Sequence, residues 1–118
     1  MPLESKKLAL KIGDILKDKK AEDITLLEVY PLTIVADYFI IASGRSEPQV
    51  SSLYRELTKV LAHEGIEPKG VDGKQDSRWI ALDYGDVIVH IFHSEEREFY
   101  DLERLWADAQ VEVIDNKA

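Results

Sequence analysis

Two apolar runs, Trp79-Ile80-Ala81-Leu82-Asp83 and Val87-Ile88-Val89-His90-Ile91-Phe92, are separated only by Tyr84-Gly85-Asp86. Strand-forming residues on both sides of so short a connector specify two antiparallel strands joined by a tight turn. The second arm is apolar at both parities, so both of its faces must be covered and it belongs inside a sheet. The first arm alternates Ile80 and Leu82 against Trp79, Ala81 and Asp83, which places Trp79 and Asp83 on one face. Tyr38-Phe39-Ile40-Ile41-Ala42, bounded by Asp37 and Ser43-Gly44, is a second run of the doubly covered kind. A sheet containing two such strands needs helices on its faces.

The helices are legible from their spacing. Leu8, Ile12, Ile15 and Leu16 recur at helical intervals within residues 3–20, among Lys6, Lys7, Lys11, Lys17, Lys19 and Lys20. Ile24 to Val29 reads as a short strand that Pro31 ends. Ser46-Glu47-Pro48 opens a second helix, with Ser46 as its cap and Val50, Leu53, Tyr54, Leu57, Val60 and Leu61 as its buried stripe, and Gly65 closes it. Residues 66–77, with Pro68, Gly70, Asp72, Gly73 and Asp76, read as a loop. One or two short helices fit Glu95 to Ala109, with Ser94 as cap and Phe99, Leu102, Leu105 and Trp106 as the apolar face. Val111 to Ile114 fits a last edge strand, with Asp115 to Ala118 a frayed tail. The expected order is αββαββα with a final short strand, an α/β fold with a mixed sheet flanked by helices.

With 118 residues, one domain over 1–118 is expected. Hydrophobic residues form 45% and charged residues 32% of the chain, a globular composition. No window approaches the roughly 18 apolar residues of a membrane span, and the amino end carries no secretory signal, so no membrane and a cytoplasmic location are expected. Cysteine is absent, which removes disulfides, thiolate nucleophiles and sulfur-ligated metals.

Acids outnumber bases 23 to 15, a formal charge of −8. Residues 1–20 carry +3 and the remainder −11. That balance opposes direct binding to phosphate backbones and favours a basic partner. The lysines opposite the apolar stripe of the first helix read as a solvated face rather than an RNA grip.

His90 and His93, followed by Glu95 and Glu96, are the raw material of a metal site. Positions three apart on a strand point to opposite faces, which argues against convergence; a hydrogen-bonded His90 on the sheet and an exposed His93 beside the next helix fit better. Gly44-Arg45-Ser46, between a strand and a helix, is similar to the Gly-Ser corner that holds a phosphate in nucleotidyltransferases. Magnesium chemistry there would need paired carboxylates on one side of a strand, whereas Asp83 and Asp86 straddle a turn. Neither a Walker lysine motif nor a dinucleotide glycine fingerprint is present, so no catalytic residue, metal or cofactor is assigned. A nucleotidyltransferase-like enzyme or nucleotide-binding module is the alternative reading. Trp79, Asp83, Tyr84 and Asp86 admit two readings: an interaction patch of large rings beside acids, or a Trp79 packed under the sheet with Tyr84 decorating the turn.

Three blocks, Asp37 to Ser46, Trp79 to Phe92, and Arg97-Glu98-Phe99-Tyr100-Asp101-Leu102-Glu103-Arg104-Leu105-Trp106, resemble the Iojap family of ribosomal silencing factors in order and spacing. The resemblance implies a nucleotidyltransferase-like fold without transferase activity. It further implies binding to ribosomal protein L-fourteen of the large subunit, obstruction of small-subunit joining, little direct RNA contact, and a homodimer in the free state. The partner-binding residues carried over are Trp79, Asp83, Tyr84 and Asp86. Val71-Asp72-Gly73 departs from the family's usual glutamate before the glycine.

Overall fold

The computed structural model describes residues 2–73 and 77–115. The elements are α1 (Pro2–Asp18), β1 (Glu22–Glu28), β2 (Tyr38–Gly44), α2 (Glu47–Ala62), β3 (Gly70–Asp72), β4 (Trp79–Asp83), β5 (Val87–His93), α3 (Ser94–Tyr100), α4 (Leu102–Leu105) and β6 (Gln110–Asp115). The strands form one sheet in the order β3-β4-β5-β2-β1-β6. Only β2 and β5 pair in parallel, so the sheet is mixed.

The two strands that read as doubly covered occupy the centre. Every residue of β2 is buried, and β5 lies between it and β4. On one face, α1 and α2 cover Ile24, Leu26, Ile40, Ala42, Ile80, Leu82, Val89 and Ile91 with Ala9, Ile12, Leu16, Val50, Leu53, Leu57 and Leu61. Each fully buried aliphatic side chain contributes about 1.5–3 kcal/mol relative to exposure, so this layer supplies most of the apolar stabilisation. Small residues bring α1 close to the sheet: Ser5 and Ala9 are buried on its inner face, and a Cβ on Gly13 would collide with the Ile114 side chain of β6. The second face carries a smaller layer of Leu27, Phe39, Ile41 and Phe92, covered by Leu102 and Trp106.

Helix α2 starts as expected, with the Ser46 hydroxyl accepting from Gln49 N–H and Pro48 in the first turn. Three expectations are corrected. Residues 66–77 are not all loop, because Gly70–Asp72 adds β3 to the edge of β4; a three-residue strand exists only through its long-range partner and leaves no periodicity to read. Lys74, Gln75 and Asp76 lie outside the described residues. The cap of α3 is His93, whose Nδ1 accepts from Glu95 N–H at 3.1 Å, and Ser94 is the first helical residue. In α3 and α4, Leu102 and Trp106 face the sheet while Phe99 and Leu105 are 78% and 74% exposed, because left-handed Asp101 (φ 49°) breaks the helix and resets its phase. The last strand is an edge strand as read and includes Asp115; residues 116–118 lie outside the described residues.

Candidate functional site: an aromatic and acidic hairpin

Trp79 begins β4 opposite Phe92 on β5. Strand alternation turns Trp79, Ala81 and Asp83 to the second face, as the sequence reads, and Ile80 and Leu82 into the main core. The indole stacks on Phe92 with ring centres 4.7 Å apart and planes at 26°, and Tyr100 of α3 lies 4.7 Å away on a tilted ring. Its N–H donates to His90 Nδ1 at 3.1 Å. His90 in turn meets Phe39 edge-on at 5.3 Å. Burial among these rings lowers the His90 pKa to about 4, so the imidazole is neutral at physiological pH and can accept a hydrogen bond.

Beside this cluster is an open cleft of about 340 Å³ lined by Asp72, Gly73, Trp79, Ala81 and His90. Gly73 has φ 121°, and a Cβ there would lie 2.9 Å from the Trp79 carbonyl oxygen. Glycine is therefore required twice, for its backbone conformation and for its close approach to β4.

The hairpin turn is held by its own polar groups. Asp83 Oδ1 accepts from Gly85 N–H at 2.7 Å, and Tyr84 N–H donates to the Val87 carbonyl at 2.9 Å. The Asp86 carbonyl accepts from the N–H groups of Asp37 and Tyr38, tying the turn to the start of β2. Asp83 and Asp86 are exposed. Tyr84 is not: it is 8% exposed and packs in the main core. Among the described residues its hydroxyl has no hydrogen-bond partner. Burial first, then the negative charge of Glu67 and the neighbouring Tyr54, pushes its pKa up to about 12. The structure thus brings Trp79 and Asp83 together on one face, puts Asp86 at the turn, and sets Tyr84 on the opposite side. Carrying the alternation of β4 one residue further would have shown this, since Tyr84 continues the Ile80 and Leu82 series.

Two arginines brace the site, and neither stands out in the sequence. Arg78, next to Trp79, ion-pairs with Glu47 at the start of α2 and with Glu95 and Glu96 at the start of α3. Arg97, with a side chain 12% exposed, pairs with Glu103 and donates to the Asp23 carbonyl and to the hydroxyls of Ser43 and Thr25. These bonds fasten α3 and α4 across the second face, where Tyr100 meets Trp79.

The residues behind the other candidate chemistries make contacts of their own. At Gly44-Arg45-Ser46, the Arg45 N–H donates to Gln49 Oε1, its guanidinium pairs with Glu22, and the Ser46 hydroxyl caps α2. His90 bonds Trp79 while His93 caps α3, and no group of three or more His, Cys, Asp or Glu suited to a metal occurs among the described residues. On the basic segment, Lys6, Lys11 and Lys19 pair with Glu112, Glu64 and Glu56. Among the described residues, no helix is long and apolar enough to cross a membrane.

Comparison with known proteins places the chain as a whole. A protein of Halalkalibacterium halodurans described as a ribosomal silencing factor is 47% identical over 92 residues, 78% of this chain and 79% of the relative. A mouse protein described as mitochondrial assembly of ribosomal large subunit protein 1 is 32% identical over 95 residues, 78% of this chain and 42% of that one. A crystal structure of a protein from Chromobacterium violaceum superposes with a TM-score of 0.79 at 34% identity, over 91% of this chain and 87% of that one. The family model described as ribosomal silencing factor during starvation matches residues 2–118. The chain belongs to this RsfS family, whose members are ribosome-associated regulators and not enzymes.

Proposed function

We propose that the chain binds the large ribosomal subunit through ribosomal protein L-fourteen, using the Trp79–Asp86 hairpin, and obstructs joining of the small subunit. The observation that carries this reading is the juxtaposition of an immobilised indole with exposed acids on one ridge. Trp79 is fixed from below by Phe92 and from the side by His90 and Tyr100, so little ordering entropy is lost when a partner covers it. Asp83 and Asp86 supply the charge that selects a basic surface. Tyr84 serves the same surface as the buried anchor of the turn.

A net charge of −8 disfavours rRNA and favours a basic protein, with long-range attraction speeding encounter. A contact of about 800 Å² on each partner suffices for specific binding. A body of 34 × 33 × 25 Å placed at the subunit junction would then act by bulk, with no catalytic step. A cytoplasmic location and a homodimer in the free state belong to the same reading; sedimentation equilibrium tests the latter.

The test is co-sedimentation with purified large subunits, together with light scattering on adding small subunits. The chain is expected to pellet with large subunits and suppress the rise in scattering, and Trp79→Ala with Asp83→Asn to lose both effects. Subunits that join equally well at saturating protein would overturn the proposal.

A further inference from the structure

We propose that His90 is a positioning residue for partner binding: its Nδ1 takes the Trp79 N–H and so fixes which face of the indole the partner meets. This rests on the reading of Trp79 as a contact residue and goes beyond it, since His90 itself need not touch the partner. The two residues lie on adjacent strands, Trp79 on β4 and His90 on β5, with the 3.1 Å bond joining their side chains across the sheet. A Trp side chain has two rotatable torsions, and stacking on Phe92 limits tilt without fixing which way the N–H points. The hydrogen bond to His90 supplies that second restraint. Phe39, edge-on to the imidazole at 5.3 Å, holds the acceptor in turn.

Two chemical consequences follow. Acceptance at Nδ1 requires the proton on Nε2, so His90 is the neutral Nε2–H tautomer. The sole polar group of the indole is then already engaged, and Trp79 offers the partner ring surface and not a hydrogen bond. The partner feature opposite Trp79 is accordingly an apolar or cationic side chain able to lie on a π face, rather than a carbonyl seeking a donor.

The experiment uses the full chain with His90→Phe, which keeps the ring volume and removes the acceptor, and His90→Asn, whose Oδ1 takes the place of Nδ1. The indole ¹H–¹⁵N resonance of Trp79, assigned with Trp79→Phe, and the affinity for purified large subunits are measured at equal folded fraction. In His90→Phe the resonance is expected to shift, its exchange with solvent to speed up, and affinity to fall about three- to tenfold, the scale of one net hydrogen bond. His90→Asn is expected to bring both readouts back toward wild type. A resonance or affinity unchanged in His90→Phe, or no recovery in a folded His90→Asn, overturns the proposal. If Trp79→Ala weakens binding while His90→Phe does not, this inference alone fails; if Trp79→Ala binds as wild type, the interface reading fails as well.

Discussion

Replacing Tyr84 separates two roles that the hairpin sequence alone does not distinguish. Its ring is 8% exposed and belongs to the main core with Leu82 and Val87. Tyr84→Ala should leave a cavity there and cost about 3–5 kcal/mol, as aromatic truncations in cores do. Against a total stability of about 5–15 kcal/mol, that is a large share. The corresponding drop in Tm is on the order of 10–20 °C for a domain of this size. Tyr84→Phe removes only a hydroxyl that has no partner among the described residues. It relieves a desolvated group without opening a cavity, so stability should change by less than about 1 kcal/mol. Urea unfolding gives both values, and co-sedimentation at matched folded fraction gives binding. An anchor predicts that Tyr84→Phe binds as wild type and that Tyr84→Ala, once matched for folded fraction, keeps most of its binding. If Tyr84→Ala were as stable as wild type yet failed to bind, the residue would be a surface contact and the buried placement would be refuted.

Further outcomes are expected. His90, held neutral by burial to about pH 4 against an ordinary 6.5, takes up its proton only in the unfolded chain between those values. Its contribution is full above pH 6.5 and falls by up to about 3 kcal/mol as the pH drops to 4; urea titrations across that range should show the loss, and His90→Asn should flatten it. Gly73→Ala should cost about 1–3 kcal/mol, because the site needs φ 121° and a Cβ would press on the Trp79 carbonyl; the emission of Trp79, isolated by Trp106→Phe, should shift, and an unchanged spectrum and stability would count against the close approach. Arg97→Met should destabilise by about 3 kcal/mol by leaving Glu103 and the Ser43 and Thr25 hydroxyls without their shared partner; differential scanning calorimetry checks it. Large-subunit binding should weaken with added salt, since acid-to-base attraction is screened over about 10 Å at 0.1 M; a flat profile would mean an apolar contact.

Much of the site was legible because it depends on alternation within a strand. The shared face of Trp79 and Asp83 follows from parity, and the tight turn from Gly85, whose φ is 89°. The fit of His90 to a hydrogen-bonded role followed from its placement three residues from His93. What escaped was the partner of each group. Nothing local says that His90 meets Trp79, that His93 rather than Ser94 caps α3, or that Arg97 reaches Asp23 across 74 positions of sequence. Tyr84, a turn residue beside acids, reads as solvent-facing, whereas the alternation of β4 carries it into the main core.

The chain by itself determined the order of its principal helices and strands, the two central strands, and its acidic character, a net charge of −8. Those properties depend on side-chain periodicity and total charge, which are written residue by residue. Tertiary structure decided the parallel pairing of β2 with β5, the existence of β3, and the partners that Trp79 finds in Phe92, Tyr100 and His90. Such features arise from contacts between residues far apart in sequence, where the free energy of burial and of satisfied hydrogen bonds overrides local preference.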